Sequence, residues 1–414
     1  MPASEQSRRA RFHSLLLSKI RLLTDDSIAL TFLVPQALRD EYRFLPGQYL
    51  TLRADIEGES LRRSYSIASA SQQADRLEVG IRRVEGGRFS NWACGLSAGI
   101  NMDVMTPQGN FTATIDVPPA TQAHSAEQGV VDADSVTASV TDPASRAASE
   151  PSTGKQYLLI AAGSGITPCL SIIKSVLQAE KETRITLIYG NRNSNSIMFV
   201  DDLKALKDRY TDRFSIIHVL SRERTDSQLL KGRINSEKLQ SFSDLKLISD
   251  KPWHSAYCCG PEAMLDEVVE WLLETKGLLP DQVHRELFMV AGSEQSKFKP
   301  AAASSVDRPS DTAAPKETDP DQVMVTIRID GAERQVSVRG SSETILAAAD
   351  RGGLELPFSC ASGMCCACRC KVVAGSVNMD ANYSLAKWEV EAGYVLACQS
   401  RHAEGDLILD FDQS

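Results

Sequence analysis

Long uncharged apolar stretches are absent from this 414-residue sequence, and none approaches the roughly 18 residues that a membrane-spanning helix needs. The apolar core of a secretion signal is also missing, because Arg8, Arg9 and Arg11 precede only a short apolar run at Leu15 to Leu17. We therefore expect a cytoplasmic protein that does not bind membranes.

An excess of positive charge is missing too. The chain has 45 Lys and Arg against 54 Asp and Glu, a net charge of −9, which argues against nonspecific binding of nucleic acid. Hydrophobic residues make up 42% and charged residues 24% of the chain, the balance of a globular protein. Its length suggests about three domains.

Two segments lack the residues that form a core. Residues 118–154 contain no Leu, Ile, Phe, Tyr, Trp or Met, so burial there cannot offset the entropy lost on ordering. Residues 293–322 hold one aromatic residue and four prolines, a composition typical of an extended tether. We predict a flexible insert and a linker between three folded blocks, 11–117, 155–292 and 323–414.

Each block has its own pattern of secondary structure. The first has short β-rich runs separated by turn signals such as Pro46-Gly47, which predicts a small antiparallel barrel. The second alternates apolar strands with amphipathic helices, which predicts a doubly wound parallel sheet. The third begins with a hairpin signal around Asp330-Gly331, followed by a helix near 343–350 and a strand near 407–409, which predicts an α+β domain. The strands predicted in the first two blocks are 28–34, 49–52, 65–68, 77–84, 157–161, 185–189, 214–220 and 256–259, with a helix at 261–276.

Ten cysteines are the unusual part of the composition, and five of them fall within eleven residues. The spacing Cys360-x4-Cys365-x2-Cys368, with Cys398 thirty residues later, fits the plant-type arrangement of ligands for a 2Fe-2S cluster. Four thiolates are needed because each of the two irons takes two of them. Small residues in the loop, Gly363 among them, let backbone amides approach the sulfurs.

Structural zinc is the competing interpretation of this loop. Cys365, Cys368, Cys370 and His402 would then form the ligand set. Zinc sites usually pair two closely spaced doublets, and this sequence offers one doublet and a distant single cysteine, so we favour the cluster. Cys370 and the remaining loop cysteine, Cys366, exceed the four ligands and are expected to be small buried residues.

Residues 360–400 closely resemble the ferredoxin-like domain at the C-terminus of oxygenase reductases. The part from 382 to 400 is most similar to the reductases of ring-epoxidising oxygenases that act on phenylacetyl-CoA. Arg63-Ser64-Tyr65-Ser66 and the flanking strings 46–49 and 86–92 are similar to motifs of the ferredoxin-NADP reductase superfamily. The resemblance covers all three blocks, except the insert and the long tether, and implies an FAD-binding antiparallel β-barrel, a doubly wound α/β domain and a β-grasp ferredoxin domain.

The resemblance assigns roles in the first block. Arg63 and Ser90 would hold the flavin pyrophosphate, Tyr65 would stack on the ring, and Ser66 would lie near its N5. The glycine pair Gly86-Gly87 permits a tight turn and a close approach of backbone to phosphate. FAD is favoured, and FMN is the alternative because some reductases with this domain order bind it.

A second set of residues points to a nicotinamide cofactor. Gly163, Gly165, Thr167 and Pro168 lie in a strand-turn-helix setting, where a helix N-terminus favours anions. The string is not the G-x-G-x-x-G fingerprint but resembles the G-x-G-x-x-P form of the superfamily. The Cys259-Gly260 pair ends a strand at the carboxyl edge, where α/β sheets bind ligands. In the resembled family this cysteine lies beside the nicotinamide.

Basic residues could select between the two dinucleotides. Ser221 and Arg222 follow the strand 214–220 and could take a 2′-phosphate, as could Arg192 or Arg233, which favours NADPH over NADH. The alternative is that Arg222 belongs to a solvated group of charges. Glu286-Leu287-Phe288 resembles the E-x-F ending of these reductases, where the aromatic ring lies by the flavin; the alternative is a terminal strand with a core Phe.

The domains together would form an electron converter. The resemblance implies that NADPH passes a hydride to FAD, which passes single electrons to the 2Fe-2S cluster and on to a separate, di-iron oxygenase. The tether would let the cluster dock alternately on flavin and partner. A reductase for a steroid or aromatic-ring hydroxylase is one alternative. A zinc-stabilised binding module fused to a nucleotide-sensing domain is another, from a different class.

Overall fold

A computed structural model describes residues 10–115, 154–223, 227–249, 251–288, 322–385 and 387–413. The predicted insert and tether therefore lie outside the described residues, except for their last residues. Of these, Gly154 precedes the first strand of the second domain and Gln322 begins the first strand of the third. None of the helices in the described ranges has the length and apolar character needed to cross a bilayer.

The first domain is a six-stranded antiparallel barrel. Its strands follow the order β4-β3-β6-β1-β2-β5, and a bridge between Ile67 and Val79 joins the two edges. Alternate residues such as Leu50 and Leu52 are fully buried and fill the interior, as a strand with one inward face requires. The elements are β1 (Phe12–Thr24), β2 (Ser27–Leu33), β3 (Tyr49–Ile56), β4 (Glu59–Ser66), β5 (Arg76–Arg82), α1 (Arg88–Ala93) and β6 (Asn101–Met105).

The second domain is a five-stranded parallel sheet in the order β11-β10-β7-β8-β9. Its strands are β7 (Gln156–Ala162), β8 (Arg184–Asn191), β9 (Phe214–Leu220), β10 (Ser255–Gly260) and β11 (Val283–Leu287). Its helices are α2 (Ile166–Ala179), α3 (Val200–Arg209), α4 (Ser236–Asp244) and α5 (Glu262–Glu270), which continues into a π-helical turn over Trp271–Thr275.

The central strand β7 shows why this sheet is covered on both faces. Leu159 and Ala161 pack into a core with α2, whereas Leu158 and Ile160 pack into a second core with α4 and α5. A parallel strand buried on both sides reads as a continuous apolar run, and β7 has that character. The predicted doubly wound sheet is confirmed.

The third domain is a mixed five-stranded sheet with one main helix. The order is β13-β12-β16-β14-β15, in which β12 and β16 pair in parallel and the other neighbours are antiparallel. Asp330 and Gly331 both have positive φ, +59° and +67°, as a two-residue hairpin turn of this kind needs. The elements are β12 (Gln322–Ile329), β13 (Ala332–Arg339), α6 (Ile345–Arg351), β14 (Arg369–Met379), α7 (Lys387–Glu391), β15 (Tyr394–Leu396) and β16 (Ser400–Asp410).

Candidate active site and electron-transfer contact

Four cysteines of the third domain meet as two pairs. The thiols of Cys360 and Cys365 are hydrogen-bonded to each other, and so are those of Cys368 and Cys398. No group of three or more His, Cys, Asp or Glu residues suited to one ion occurs in the described ranges. Two pairs of thiols, each able to serve one iron, match the requirement of a 2Fe-2S cluster.

Backbone amides of the loop point at these sulfurs. The N–H groups of Ser362 and Met364 donate to Cys360 Sγ at 3.4 and 3.3 Å, and the N–H of Cys360 donates to Cys365 Sγ at 3.3 Å. The bond from the Cys365 thiol, together with these amides, lowers the pKa of Cys360. Gly363 has a φ of +80°, and a Cβ there would lie 2.9 Å from the Ala381 carbonyl oxygen. The residues therefore fit a thiolate-bound cluster.

The zinc alternative does not fit this geometry. Cys370 is fully buried in β14 and pairs with Val395, whereas His402 pairs with Val377 and its Nε2 lies 2.8 Å from the Gly405 carbonyl oxygen. Seven residues of strand separate Cys370 from Val377, a distance of about 20 Å. The two side chains cannot share one zinc ion. The prediction of a buried residue is confirmed for Cys370, whereas Cys366 is only half-buried.

The predicted flavin residues lie along β4. Arg63 is exposed, Tyr65 is half-buried with its ring centroid 5.9 Å from that of Phe89, and Ser66 is buried. The side chains of Arg63 and Tyr65 are on one face of the strand and that of Ser66 is on the other. A cation and an aromatic ring that lies beside a second ring are therefore presented on the same face, as a flavin nucleotide needs.

The Ser90 hydroxyl takes part in the glycine turn that precedes α1. Its hydroxyl accepts the N–H of Val84 at 3.1 Å and donates to the Gly87 carbonyl at 3.3 Å, so it shapes the glycine turn. Gly86 has a φ of +72°, and a Cβ at Gly87 would lie 2.7 Å from Ser90 Oγ. The two glycines are thus required by the turn itself, and the Ser90 hydroxyl is already used within it.

The glycine loop of the second domain is held from three sides. Tyr189 donates its hydroxyl to the Gly163 carbonyl at 2.9 Å, and Thr167 donates to the Ser164 carbonyl at 3.0 Å. A Cβ at Gly165 would overlap the Cys259 carbonyl oxygen, so this position brings the loop against the end of β10. Pro168 is the third residue of α2. The loop therefore lies between the end of β7 and α2, at the carboxyl edge of the sheet where α/β domains bind dinucleotides.

Residues from two domains converge on one half-buried carboxyl group. Cys259 Sγ donates to Glu286 Oε2 at 3.7 Å across the β10–β11 pair, and the hydroxyl of Ser66 also bonds to Glu286. Burial raises the pKa of Glu286 to about 8 and that of the Cys259 thiol well above its usual range. Gly260 accepts the Phe288 N–H at 3.0 Å, which fixes the end of the domain beside this group. The link from Ser66 to Glu286 was not predicted from the sequence.

The candidate phosphate-binding arginines are at the far side of the same edge. Arg192, Arg222 and Arg233 are all exposed, and Arg192 is paired with Asp26 of the first domain at 2.9 Å. Ser221 and Arg222 follow β9, as predicted. The carboxylate of the next residue, Glu223, accepts the Ser194 N–H at 2.6 Å and therefore belongs to a neighbouring loop.

The third domain contacts the first through ion pairs, a contact between an arginine and an aromatic ring, and the cysteine loop. Glu355 accepts from Arg53 at 2.8 Å and from Arg62 at 2.6 Å, and Arg62 lies 4.2 Å from the centroid of the Phe358 ring. The hydroxyl of Tyr49 donates to the carbonyl oxygen of Cys365. The cysteine loop therefore lies directly against the barrel. This contact was not predicted from the sequence, because local patterns do not indicate which residues of two domains lie against each other.

Comparisons with known proteins agree with this architecture. Residues 14–113 match the oxidoreductase FAD-binding domain, 159–270 the oxidoreductase NAD-binding domain, and 327–402 the 2Fe-2S iron-sulfur cluster binding domain. One component of the 1,2-phenylacetyl-CoA epoxidase of Escherichia coli is 40% identical over 97% of this chain and 98% of its own. The ferredoxin reductase component of the 3-ketosteroid-9-alpha-monooxygenase of Mycobacterium tuberculosis is 32% identical over 94% of this chain and 93% of its own.

A solved structure shares the fold. Phthalate dioxygenase reductase has a TM-score of 0.50 at 22% identity and covers 96% of this chain and 98% of its own. The chain belongs to the ferredoxin-NADP reductase superfamily, in the branch that carries a C-terminal 2Fe-2S ferredoxin domain. It is an oxidoreductase with FAD-, NAD- and 2Fe-2S-binding domains, of the class whose members are reductase components of oxygenases.

Proposed function

We propose that this protein is the NADPH-dependent reductase of a phenylacetyl-CoA epoxidase, and that it supplies electrons to a separate di-iron oxygenase in the cytoplasm. The observation that carries the proposal is the contact between the cysteine loop and the barrel, which joins the cluster site to the flavin site within one chain. The 40% identity to the Escherichia coli epoxidase component over nearly its whole length supports the choice of oxygenase.

A bound FAD would supply the conversion of a hydride from NADPH, which carries two electrons together, into single electrons for the iron-sulfur cluster. The chain's own residues have the following proposed roles. Arg63 holds the flavin pyrophosphate and Tyr65 covers one face of the ring. Cys360, Cys365, Cys368 and Cys398 ligate the two irons.

Glu286 is proposed to hold a proton at the junction of flavin and nicotinamide. With a pKa of about 8, its carboxyl is mostly protonated at neutral pH and can donate to a neighbouring acceptor. Ser66 and Cys259 position this group and exclude water from the place where the two rings would meet. Gly165 brings the glycine loop of the second domain against Cys259.

NADPH is proposed as the dinucleotide because of Arg222. Its neighbour Glu223 is bound to Ser194, so the two residues do not simply form a solvated pair of opposite charges. An exposed arginine after β9, at the carboxyl edge of the sheet, suits a 2′-phosphate. FAD is retained over FMN because residues 14–113 match an FAD-binding domain.

The experiment that tests this function is reconstitution with a defined oxygenase. The purified chain, NADPH and the oxygenase component of the phenylacetyl-CoA epoxidase should together consume phenylacetyl-CoA and oxygen. The matched control is the Cys398→Ser chain, which should still oxidise NADPH with ferricyanide but should not support epoxidation.

Turnover with a 3-ketosteroid oxygenase instead would assign the protein to that oxygenase. This is the second candidate function, and the 32% identity to the mycobacterial reductase favours it. No turnover with either oxygenase, from a chain that carries both cofactors, would contradict the proposed function.

A further inference from the structure

Two aromatic side chains of the third domain are open to solvent. Tyr383 is 53% and Trp388 is 64% exposed, and Val390 beside them is 41% exposed. Within the described part of the chain, no other aromatic residue is among the exposed large hydrophobic side chains. These three exposed apolar side chains lie within the eight residues 383–390, and exposed apolar groups of this kind mark places where another molecule binds. We refer to Tyr383, Trp388 and Val390 as the aromatic rim.

The Tyr383 end of the aromatic rim is fixed to the cysteine loop. The N–H of Tyr383 and the hydroxyl of Ser384 both donate to the Gly363 carbonyl, at 3.1 and 3.0 Å. The side chain of Asn382 accepts the N–H of Leu385 at 2.8 Å, and Leu385 is itself buried. The backbone at Tyr383 is already ordered by these bonds, so it loses little further freedom on binding, which favours affinity.

The short helix α7 separates the rim from the contact with the barrel. Glu389 is buried, forms an ion pair with Arg369, and accepts from the amide of Asn110 in the first domain at 3.2 Å. Its neighbours Trp388 and Val390 are turned to solvent. The rim therefore borders the contact between the third and first domains and is not covered by it.

The barrel already occupies another approach to the loop. Tyr49 donates to the Cys365 carbonyl, and the amide of Asn110 lies 3.8 Å from Cys366 Sγ. A protein that receives electrons must also come close to this loop, and the rim is an uncovered apolar surface attached to it. Aromatic side chains of this kind are the usual anchors of protein interfaces.

We propose that the aromatic rim is the docking surface for the oxygenase, and that the oxygenase binds there while the third domain remains on the barrel. The proposal rests on the proposed function. Residues 322–413 contain twelve acidic and eight basic residues, so the partner surface should present an apolar pocket edged by basic residues. In this proposal the third domain stays on the barrel when the oxygenase binds. The composition of the tether suggests instead that the third domain moves between the flavin and the partner.

Binding of the oxidised holoprotein to the oxygenase component of the phenylacetyl-CoA epoxidase tests the surface without turnover. Trp388→Ser and Tyr383→Ser should each raise the calorimetric Kd about tenfold, as loss of an aromatic anchor does, and Trp388→Phe should restore most of the affinity. The matched control is Met324→Ser, which removes a 52% exposed side chain from β12 of the same domain and should leave Kd within about twofold. Equal Kd values for all four variants would overturn the proposal.

A covalent lock tests whether the third domain stays in place. The hydroxyls of Ser64 and Ser359 lie 2.7 Å apart across the contact, so a Ser64→Cys and Ser359→Cys pair can be joined by oxidised glutathione. The visible spectrum of the thiol-reduced form verifies that its cluster is intact. The locked chain should bind the oxygenase with the Kd of the unlocked chain; loss of binding that thiol reverses would contradict docking in place.

Failure of the unaltered chain to bind this oxygenase would count against the proposed substrate and not against the rim. The same variants would then be measured with the 3-ketosteroid oxygenase, and a Trp388→Ser chain that binds it as the unaltered chain does would overturn the proposal there.

Discussion

Cys259 and Glu286 lie side by side on neighbouring parallel strands, with the thiol donating to the carboxyl group at 3.7 Å. The carboxyl group is also reached by Ser66 from the barrel, so one protonatable group joins the first and second domains. The arrangement places a proton donor, a thiol and a hydroxyl where the ends of the two candidate cofactor sites meet.

The raised pKa of Glu286 predicts a specific dependence of stability on pH. The folded protein holds this proton up to about pH 8, whereas the unfolded chain releases it near 4.5, so this group's contribution to stability falls as pH rises from 4.5 through 8. Glu286→Gln removes the ionisation. We compare the free energy of unfolding of the variant with that of the unaltered holoprotein at each pH. The variant's value relative to the unaltered protein should be on the order of 3 kcal/mol higher at pH 9 than at pH 5.

Scanning calorimetry at the two pH values checks this as a difference in Tm between variant and parent. The matched control is Glu270→Gln, at an exposed position of α5, for which the difference in Tm should be the same at both values. A Glu286→Gln difference that is also independent of pH would show that the carboxyl group is not held protonated.

Gly165→Ala should damage the nicotinamide site. A methyl group there would overlap the Cys259 carbonyl oxygen, and neither the loop nor the end of β10 can move without the other. We expect a loss of about 1–3 kcal/mol in stability and a higher KM for NADPH, with the flavin content unchanged. Gly95→Ala, where the nearest atom is 3.4 Å away, is the control, and an equal KM for the two variants would contradict this role.

Glu355→Gln should weaken the contact between the first and third domains. It removes the negative charge that pairs with Arg53 and Arg62, and the Arg62 Nη1 is already a buried atom without a partner. We expect electron transfer from flavin to cluster to slow about three- to tenfold, and added salt to slow the unaltered chain in the same direction.

Stopped-flow absorbance of the cluster after mixing with NADPH measures this rate. Glu333→Gln, which breaks an ion pair with Arg328 inside the third domain, is the control and should leave the rate unchanged. If the two variants transfer electrons equally fast, the ion pairs of Glu355 do not stabilise the contact between the first and third domains.

Arg222→Ala should change the choice between dinucleotides. Loss of the guanidinium removes a partner of the 2′-phosphate only, so kcat/KM for NADPH should fall about tenfold while that for NADH stays the same. Steady-state assays with ferricyanide measure both values. Arg285→Ala, at an exposed position of β11, serves as the control; an equal fall for both dinucleotides in Arg222→Ala would assign this arginine a different role.

Local patterns predicted the fold class of each domain and the cysteine ligands, because these features repeat within a few residues. The Asp330-Gly331 turn and the two-sided burial of β7 follow from nearby sequence. The pairing of Cys360 with Cys365 and of Cys368 with Cys398 was not predicted, because Cys398 lies thirty residues after Cys368. One predicted strand was displaced: residues 65–68 contribute only the end of β4, and Ile67 forms a single bridge to Val79.

Contacts between domains could not be predicted from local sequence patterns. Ser66 and Glu286 are 220 positions apart, and Tyr49 and Cys365 are 316 positions apart, so no periodicity links either pair. Ser90 illustrates a different limit, since its type and position suit a phosphate but its hydroxyl is used by the turn that presents it. Only the three-dimensional arrangement shows which polar groups remain available.

Anaerobic titration of the purified holoprotein with NADPH, followed by absorbance, measures whether one chain carries both a two-electron flavin and a one-electron cluster. Uptake should be about three electrons per chain, about two for Cys398→Ser, and about three for the control Cys370→Ser, with iron and acid-labile sulfide lost only from the Cys398 variant. Uptake of about two electrons by the unaltered chain, with bound zinc and no sulfide, would show that the chain holds no such cluster.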